Sequence, residues 1–565
     1  MPVNSNSSAD QPGFQRRLRS VVNSALWAAA GDAIGWITEL ASSSRLLHRA
    51  GSEYVEQPIP WRRMVGGRVG PKVDLPAGTY SDDTQLRLAV SRSIRGDGKF
   101  DVETFAKVEL TVWPAYALGG GLGTKAAAHN LSRRSVNWFS NFYEKGPQRY
   151  ITSGGNGAAM RVQPHVWCRK NNIQGLLLDV LRDSLVTHGH PHGFCGAVFH
   201  ALVLDSVFTK GEVPAPDLWL NYANEFCQLS DIISLDPQLA SFWRPAWEEC
   251  SDRSLRDALV ETKAELEADI KLIVPLLQKA SAENYREILE RLGCFKPELR
   301  GSGLKTALAS TALAYLYRDS SVSAALVVSA NELGSDTDTI ATMCGAILGA
   351  VAGAAPNWPI QDREYIVQEA ERLASITGSR PGDSFTYPDL ARWNPPSSQS
   401  GTVGTGPEGM AIAGLGYVEA ESKVHNVGGL SWQWFRLPFG QTIFTKWRPD
   451  GAIRIDLSQL PGDRQPAPPV NRNEVRQASR QEALPLENPS LEGGASLQEA
   501  PALQDAEPRV VSLDSLTDEV IRANFNHDVL GRAFNYCIEH HGLEGAIGFA
   551  AVIAKAKVSR AKRVR

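Results

Sequence analysis

The sequence predicts a mainly α-helical protein that carries one small β element and ends in a further helical segment. Apolar residues recur at helical spacing through residues 14–385, and those between residues 21 and 30 fit a single helix face. Few segments alternate strictly between apolar and polar residues, as half-buried strands do. The strand–helix–strand rhythm of a doubly wound sheet is also absent, so we expect helices to build the main domain.

The composition is typical of a globular protein with several domains. The chain has 565 residues, 43% of them hydrophobic and 21% charged, and this length predicts two to four domains. A formal net charge of −4 gives no electrostatic reason to expect a nucleic-acid or membrane partner, and we expect neither. The seven cysteines are scattered without a C-x-x-C pair, which indicates reduced thiols and a cytoplasmic protein.

The N-terminal part of the chain is predicted to lead into a single helical domain. Residues 1–16 are rich in Ser and Asn and lack an apolar core, so we predict a disordered N-terminus rather than a signal peptide. The helical domain is predicted over residues 17–390. Its most apolar stretch, residues 340–355, is shorter than the roughly 20 residues of a membrane span and predicts a buried helix. Glycines at every fourth position there would allow close helix packing.

Beyond residue 390 the sequence changes character four times. Residues 391–408 are rich in Pro, Ser and Gly and predict a linker. Residues 409–458 contain an aromatic cluster and an alternating stretch at 453–457, which predict a small antiparallel β element. Residues 459–512 are rich in Pro, Gln, Glu and Ala and predict a disordered linker. Residues 513–565 predict a helical segment with a basic tail.

Two acidic clusters, at residues 80–84 and 334–339, are the strongest sign of chemistry. Each lies where a loop enters an apolar helix, and each offers two carboxylates with neighbouring hydroxyls. Helix capping alone accounts for either cluster taken singly, because Ser and Asp are favoured at helix N-termini. Brought together, the clusters would provide hard oxygen donors for one or two Mg²⁺ or Mn²⁺ ions.

Two glycine-containing motifs suggest a cleft near these acids. Gly31 and Gly35 interrupt a helical run at a cost of about 1 kcal/mol each relative to alanine, which indicates close packing or a nearby ligand. Glu39 ends the same apolar stretch, where its carboxylate can project into a cleft. Residues 153–157 form a glycine-rich loop whose backbone N–H groups could bind a phosphate.

Taken in order, these motifs resemble those of the ADP-ribosylglycohydrolase family. The matching series is G-D-A-I-G-x-x-x-E at residues 31–39, S-D-D-T at 81–84, G-N-G-A-A-M-R at 155–161, T-H at 187–188 and G-S-D-T-D-T-I-A at 334–341. Each motif alone is modest, but five in the family order are highly specific. The resemblance covers about residues 17–380 and does not include the chain beyond residue 390.

The resemblance implies an all-helical catalytic domain around a binuclear Mg²⁺ or Mn²⁺ site. It implies three catalytic residues, Glu39, Asp83 and Asp336, with Glu39 beside the metals. The implied metal shell consists of six oxygen donors: Ser81, Asp82, Asp83, Asp336, Asp338 and Thr339. The residues implied to line the diphosphate and proximal ribose of ADP-ribose are Ser153, Gly154, Gly155, Asn156, Gly157 and His188.

The implied reaction is metal-dependent hydrolysis of the glycosidic bond between ADP-ribose and an acceptor. The acceptor would be an ADP-ribosylated protein side chain or a small molecule. Two alternatives stay open: a non-catalytic ADP-ribose-binding relative and a metal-dependent nucleotide phosphohydrolase. Several members carry an acid where this chain has Gly121, so we expect arginine-linked ADP-ribose to be a poor substrate.

The region beyond residue 390 contains none of the implied ligands. We therefore expect catalysis to survive its removal. The same region is expected to serve recruitment, oligomerisation or substrate targeting, and is where a protein partner is anticipated.

Overall fold

The computed structural model describes residues 11–67, 70–169, 172–378, 382–449, 453–462 and 511–563. These residues are mainly helical, as the sequence predicts. They divide into two compact units, one ending at Gly462 and one comprising the helices after residue 511. The predicted disordered linker over residues 459–512 lies almost entirely outside the described residues, as do residues 1–10 of the predicted disordered N-terminus.

Eighteen of the α-helices in the described part of the chain belong to the first unit. They are α1 (Gln11–Thr38), α2 (Ser43–Ala50), α3 (Asp82–Ser93), α4 (Val102–Thr104), α5 (Leu110–Val112), α6 (Leu122–Leu131), α7 (Gln163–Trp167), α8 (Ile173–Leu185), α9 (Pro191–Lys210), α10 (Pro216–Asn224), α11 (Leu229–Ile233), α12 (Arg244–Ser251), α13 (Leu255–Ile273), α14 (Ala282–Arg291), α15 (Gly303–Leu316), α16 (Val322–Asn331), α17 (Thr337–Val351) and α18 (Arg363–Thr377).

Short antiparallel strands complete the first unit. They are β1 (Trp61–Met64), β2 (Lys72–Leu75), β3 (Glu144–Lys145), β4 (Gln148–Arg149), β5 (Val403–Gly406), β6 (Gly409–Ile412), β7 (Gly416–Tyr417), β8 (Glu419–Ala420), β9 (His425–Val427), β10 (Leu430–Arg436) and β11 (Thr442–Trp447). β1 pairs with β2 and β3 with β4. Strands β5, β6 and β7 form one small sheet, and β10 pairs with β8, β9 and β11 in another.

Helices α1 and α17 pack unusually closely, and small residues on both helices make this possible. A Cβ atom on Gly35 would lie 2.4 Å from the Cα of Asp338, and one on Gly31 would lie 2.3 Å from the carbonyl oxygen of Ala341. Gly345 faces the carbonyl of Trp27 in the same way. Glycine is required because side chains would separate the two backbones. The close packing aligns the C-terminal end of α1 with the N-terminal end of α17.

The structure differs from the predicted boundaries at both ends of the helical domain. Helix α1 begins at Gln11, inside the range predicted to be disordered. Phe14 lies against Gly378, and Arg17 donates to the carbonyl of Val166 at 2.8 Å, so this first part of the helix contacts the fold. The hairpins β1–β2 and β3–β4 lie within the range predicted to be all-helical. Strand β5 lies inside the predicted linker of residues 391–408 and pairs with β6.

The small β element after residue 409 is present, but its last predicted strand is not. In the alternating stretch 453–457, Arg454 forms a single parallel bridge with Thr405 instead of a strand. The element also packs against the helices. Gly414 lies against Val108 and Trp393, so its backbone is part of the same compact unit as the helical domain.

The second unit consists of two helices. Helix α19 (Leu513–Arg522) begins after Ser512, whose hydroxyl accepts a hydrogen bond from the backbone N–H of Ser515. Helix α20 (His527–Arg563) is interrupted at Gly542, where φ is 68°. Glycine tolerates this left-handed conformation, so the interruption falls where a kink costs little.

Helix α9 is long and apolar enough to cross a membrane by length and composition, and 78% of its most apolar window is buried inside the fold. Helix α17, which contains most of the apolar stretch at residues 340–355, is also buried except at its last residue.

Candidate active site

The C-terminal end of α1 and the N-terminal ends of α3 and α17 meet at one cleft of about 1140 Å³. Each helix end contributes acidic side chains to its wall, which are Glu39, Asp82, Asp83, Asp336 and Asp338. The structure therefore brings together the two acidic clusters that lie about 250 residues apart in sequence. The same cleft is also lined by Gly154, Gly155, Asn156, Gly157 and His188.

Asp32 holds the first acidic turn, residues 81–84, in place. Its fully buried carboxylate accepts hydrogen bonds from the backbone N–H groups of Ser81 and Thr84, each at 2.9 Å, and from the Thr84 hydroxyl at 2.6 Å. Arg87 donates to the same Thr84 hydroxyl at 2.7 Å. Because these bonds fix the backbone at the start of α3, they direct the side chains of Asp82 and Asp83.

The second acidic turn, residues 336–339, is fixed from both sides. The Thr337 hydroxyl donates to the carbonyl of Gly35 at 2.9 Å, which ties the start of α17 to α1. The side-chain amide of Asn156 donates to a carboxylate oxygen of Asp336 at 2.9 Å, which ties it to the glycine-rich loop. Asn156 therefore supports a candidate metal ligand, a role that its position in a glycine-rich motif does not reveal.

Burial and mutual repulsion disfavour the charged forms of these carboxylates. Burial raises the pKa of Asp82 to about 7, with a further contribution from Glu39. Burial also raises the pKa of Asp83 well above its usual range, and the charges of Asp32, Asp82 and Asp336 raise it further. Burial also raises the pKa of Asp338 well above its usual range, and the charges of Glu39, Asp83 and Asp336 raise it further. Such a site gains stability from added positive charge.

The acidic residues fit a divalent cation. One carboxylate oxygen of Asp83, Oδ1, is buried and has no hydrogen-bond partner, so it remains free to act as a ligand. The donors are hard carboxylate and hydroxyl oxygens, which suit Mg²⁺ or Mn²⁺. Among the residues that the structure describes, no three His, Cys, Asp or Glu side chains form a closed ligand cluster. The carboxylates instead face the cleft from separate helices.

Glu39 directly follows the last residue of α1 and lies next to Arg63, whose guanidinium packs on aromatic rings. Both terminal nitrogens of Arg63 lie 3.3 Å from one carboxylate oxygen of Glu39. The Arg63 guanidinium stacks on Trp36, 4.9 Å from the ring centre. Burial raises the pKa of Glu39; Arg63 opposes that shift, and Asp336 adds to it. Glu39 is thus a partly desolvated carboxylate with one wall cation as its partner.

The glycine-rich loop is supported from behind by Arg161. Its guanidinium donates to the carbonyl of Gly157 at 2.8 Å, to Asp183 at 2.8 Å and to the Thr187 hydroxyl at 2.9 Å. Thr187 in turn bonds Nδ1 of His188 at 2.7 Å. Burial lowers the pKa of His188 to about 3, so its imidazole is neutral near pH 7. The arrangement offers backbone N–H groups and a neutral imidazole to a ligand.

Not every predicted residue reaches the cleft wall. The Ser81 hydroxyl is fully buried and bonds Asp83, as donor to its carboxylate at 3.3 Å and as acceptor from its backbone N–H at 3.2 Å. The Ser153 hydroxyl accepts a hydrogen bond from Tyr143 at 2.6 Å and lies behind the loop. Thr339 does line the cleft.

Sequence reasoning missed several residues at the site. Asp32 and Arg161 lie inside recognised motifs, and each is a charged residue among small and apolar neighbours. That pattern was a signal that could have been followed. Lys125 lines the cleft and acts on Asp82, but a lysine in a helix has no sequence signal of its own. Trp432 and Phe444, which come from β10 and β11, line the same cleft and lie outside every motif.

The chain is similar in sequence to proteins of a known family. A family model described as ADP-ribosylglycohydrolase matches residues 15–382. The chain is 28% identical to the ADP-ribosyl-[dinitrogen reductase] glycohydrolase of Rhodospirillum rubrum over 29% of this chain and 50% of that protein. It is 27% identical to the ADP-ribosylhydrolase ARH3 of Xenopus tropicalis over 51% of this chain and 78% of that protein.

The first of these relatives is therefore matched over half of its length only. A solved chain titled as an ADP-ribosylglycohydrolase-related protein complex is similar with a TM-score of 0.41 and 19% identity. The similarity covers 64% of this chain and 99% of that chain.

Proposed function

The chain belongs to the ADP-ribosylglycohydrolase family, and on that premise we propose that it is a metal-dependent hydrolase that releases ADP-ribose from an acceptor. The acceptor is an ADP-ribosylated protein side chain or a small molecule. The reaction breaks the glycosidic bond at the anomeric carbon of the distal ribose, adds the hydroxyl of one water to that carbon and delivers the remaining proton of that water to the acceptor atom.

The observation that carries the proposal is the meeting of the two acidic turns at one cleft. Asp82, Asp83, Asp336 and Asp338, with the hydroxyl of Thr339, line the cleft and are the residues that would hold Mg²⁺ or Mn²⁺. The Ser81 hydroxyl would support Asp83 from behind. When bound, such ions supply positive charge that orients ribose hydroxyls and lowers the pKa of a nearby water. The unpaired Oδ1 of Asp83 and the raised pKa values of its neighbours support this assignment.

Glu39 is proposed to act as the general base. Its carboxylate lines the cleft beside the acidic turns, and Asp336 acts on it electrostatically. A desolvated carboxylate with a raised pKa accepts a proton from water more readily than an exposed one. Arg63 holds that carboxylate on one side, which limits the directions from which the carboxylate can meet the water.

The glycine-rich loop is proposed to bind the diphosphate of ADP-ribose. Gly154, Gly155 and Gly157 line the cleft with backbone, and no side chain fits at Gly157, since a Cβ there would lie 2.8 Å from the Thr124 hydroxyl. Their backbone N–H groups suit anionic oxygens. The neutral His188 can donate or accept a hydrogen bond without adding charge.

The proposed location is the cytoplasm. All seven cysteines are unpaired, and five of them are buried. Free thiols of this kind are usual in a reducing compartment.

The experiment is a product assay on a panel of ADP-ribosylated substrates. EDTA-treated protein is incubated with arginine-linked, serine-linked and small-molecule ADP-ribose conjugates, each with Mg²⁺ and with Mn²⁺. We expect free ADP-ribose to form from at least one conjugate. A matched variant, Glu298→Gln, removes an exposed carboxylate from the cleft rim and should leave turnover unchanged.

Other products would assign a different function. Released phosphate or AMP would indicate a phosphohydrolase, and binding of ADP-ribose without any product would indicate a non-catalytic relative. Either result would contradict the proposal.

A further inference from the structure

The cleft has a wall that the family match does not cover. The match ends at residue 382, yet Trp432 and Phe444 line the same cleft as the acidic turns. They belong to the aromatic hairpin, residues 430–447, in which β10 and β11 pair with Trp434 opposite Phe444. This wall is a feature of this chain that lies outside the family-matched helical domain.

The aromatic hairpin is anchored directly to the first acidic turn. The Asp362 carboxylate accepts from the Tyr80 hydroxyl at 2.6 Å and from both the backbone N–H and the hydroxyl of Thr442, at 2.8 and 2.7 Å. Tyr80 immediately precedes Ser81. The half-buried carboxylate of Asp362 therefore ties the hairpin to the backbone that directs Asp82 and Asp83.

Two further bonds fix the hairpin against the helices. Arg92, on α3, donates to the side-chain oxygen of Gln441 at 2.7 Å. The Thr445 hydroxyl donates to the carbonyl of Ala115 at 2.9 Å, next to the part of the cleft wall formed by residues 117–124. These bonds fix the position of the wall relative to the helical domain.

The wall presents apolar surface and an unsatisfied donor. Trp432 is 5% exposed, stacks on Phe444 with ring centroids 5.9 Å apart, and contacts Gly66. Its indole N–H is buried without a hydrogen-bond partner. Leaving such a donor unpaired costs stability, so a ligand that accepts a hydrogen bond there gains affinity.

A second unsatisfied indole donor lies beside the acidic turn. The N–H of Trp36 is buried without a partner. A Cβ on Gly119 would lie 3.8 Å from that nitrogen and 2.5 Å from a carboxylate oxygen of Asp82. Trp36 therefore offers its donor close to the carboxylates where the chemistry is proposed to occur.

Two cationic side chains on this side of the cleft oppose a further cationic group. Arg63 and Lys125 line it, and Arg63 already occupies the Glu39 carboxylate. Among the cleft-lining residues that the structure describes, the other carboxylates belong to the acidic turns or to the rim residue Glu298. An indole N–H can only donate a hydrogen bond and a guanidinium has only donors, so no hydrogen bond forms between the two groups. The ring faces that could attract a guanidinium already carry cations, Arg63 on Trp36 and Lys446 on Trp432.

We infer that the aromatic hairpin forms the acceptor-binding wall of the cleft and that Trp432, with Trp36, selects ADP-ribose conjugates whose acceptor is uncharged and accepts hydrogen bonds. This inference rests on the proposed function and names the substrate class of the same site. Trp432 is a specificity-determining residue outside the helical domain.

The test compares two conjugates of ADP-ribose, one linked through oxygen to an uncharged hydroxyl acceptor and one linked to a guanidinium. Trp432→Phe removes the indole N–H and keeps an apolar ring. We expect it to lower kcat/KM for the uncharged acceptor about 3- to 10-fold, the usual effect of one hydrogen bond, and to leave the guanidinium conjugate unchanged. The Kd of free ADP-ribose should not change.

Trp434→Phe is the matched control. Trp434 lies on the same strand and packs on Phe444 with ring centroids 5.3 Å apart, but it does not line the cleft. It should alter neither conjugate selectively. A second variant, Trp432→Leu, tests the apolar surface and should lower the preference for the uncharged acceptor further.

The outcomes separate the two claims. An equal loss on both conjugates with Trp432→Phe, or a wild-type preference for the guanidinium conjugate, would overturn the role of the hairpin while leaving the hydrolase function intact. Release of ADP-ribose from neither conjugate by the wild-type protein would overturn the proposed function and, with it, this inference.

Discussion

At the scale of single residues, the site depends on buried carboxylates whose partners are few. Asp32 and Arg87 both bond the Thr84 hydroxyl, and these bonds hold the first acidic turn. Asp83 keeps an oxygen without a partner. The distinction matters because a satisfied buried acid stabilises the fold, whereas an unsatisfied one costs stability until a ligand binds.

Glu39→Gln tests the general base. The variant keeps the shape of the side chain but cannot accept a proton, so kcat should fall about 100-fold or more. Binding of ADP-ribose should persist, because the glycine-rich loop lies on another wall. Steady-state kinetics and calorimetric titration with ADP-ribose measure the two effects. An unchanged kcat would leave Glu39 with a structural role only.

Buried histidines predict that acid destabilises the fold. Burial lowers the pKa of His200 to about 3, from an ordinary value near 6.5. Between these values the unfolded chain binds a proton that the folded chain does not, so the free energy of unfolding falls as the pH drops below about 6.5. From pH 7 to pH 5 the loss should be about 2 kcal/mol for this histidine.

His200→Gln isolates that contribution. Urea unfolding of the wild type and the variant at pH 7 and pH 5 gives four free energies of unfolding. The decrease between the two pH values should be about 2 kcal/mol smaller in the variant. An identical decrease in both proteins would show that His200 does not titrate in this way.

At the scale of elements, the crossing of α1 and α17 sets the distance between Glu39 and the second acidic turn. Gly35→Ala would place a Cβ 2.4 Å from the Cα of Asp338, so the helices must separate. We expect the free energy of unfolding to fall by about 1–3 kcal/mol. Affinity for Mn²⁺, measured by calorimetry, should fall as well.

Gly13→Ala serves as the control on the same helix. Nothing lies within 4 Å of the position that its Cβ would occupy. Because alanine favours a helix over glycine, this variant should be about 0.5–1 kcal/mol more stable with unchanged metal affinity. Equal behaviour of the two variants would mean that the helix crossing does not position the site.

The sequence was informative where function depends on local patterns. The acidic turns, the glycine-rich loop and Glu39 each follow from residue type and spacing along a few turns of chain. The support given by Asp32, Asn156 and Arg161 was not predictable in the same way, because each bonds a residue that is distant in sequence. Likewise, the spacing of Trp432 and Phe444 predicts a β element but does not indicate what it packs against.

At the scale of the whole molecule, the contacts of the aromatic hairpin bear on where the functional part of the chain ends. The sequence suggested that catalysis would survive removal of everything beyond residue 390. The bonds from Asp362 to Thr442 and from Arg92 to Gln441 argue against that boundary, because they join the aromatic hairpin to the acidic turn. The compact unit that contains the cleft ends at Gly462.

Two truncations test this boundary. A chain ending at residue 462 should fold and keep its activity, because it retains every residue of the compact unit. A chain ending at residue 391 should lose activity or precipitate. Arg92 would lose its bond to Gln441, and Asp362 would lose its bonds to Thr442. Val108 would lose its contact with Gly414. Circular dichroism and an ADP-ribose release assay measure both outcomes. A folded, fully active chain ending at residue 391 would restore the shorter boundary.

The central claim is that the two acidic turns act together as one divalent-cation site for ADP-ribose hydrolysis. The most direct measurement is ADP-ribose release by EDTA-treated protein during titration with Mg²⁺ or Mn²⁺, for the wild type, Asp83→Asn and Asp336→Asn. We predict that the metal restores wild-type activity and that each variant stays inactive across the titration. Full activity in EDTA, or normal metal-dependent turnover in either variant, would contradict the claim.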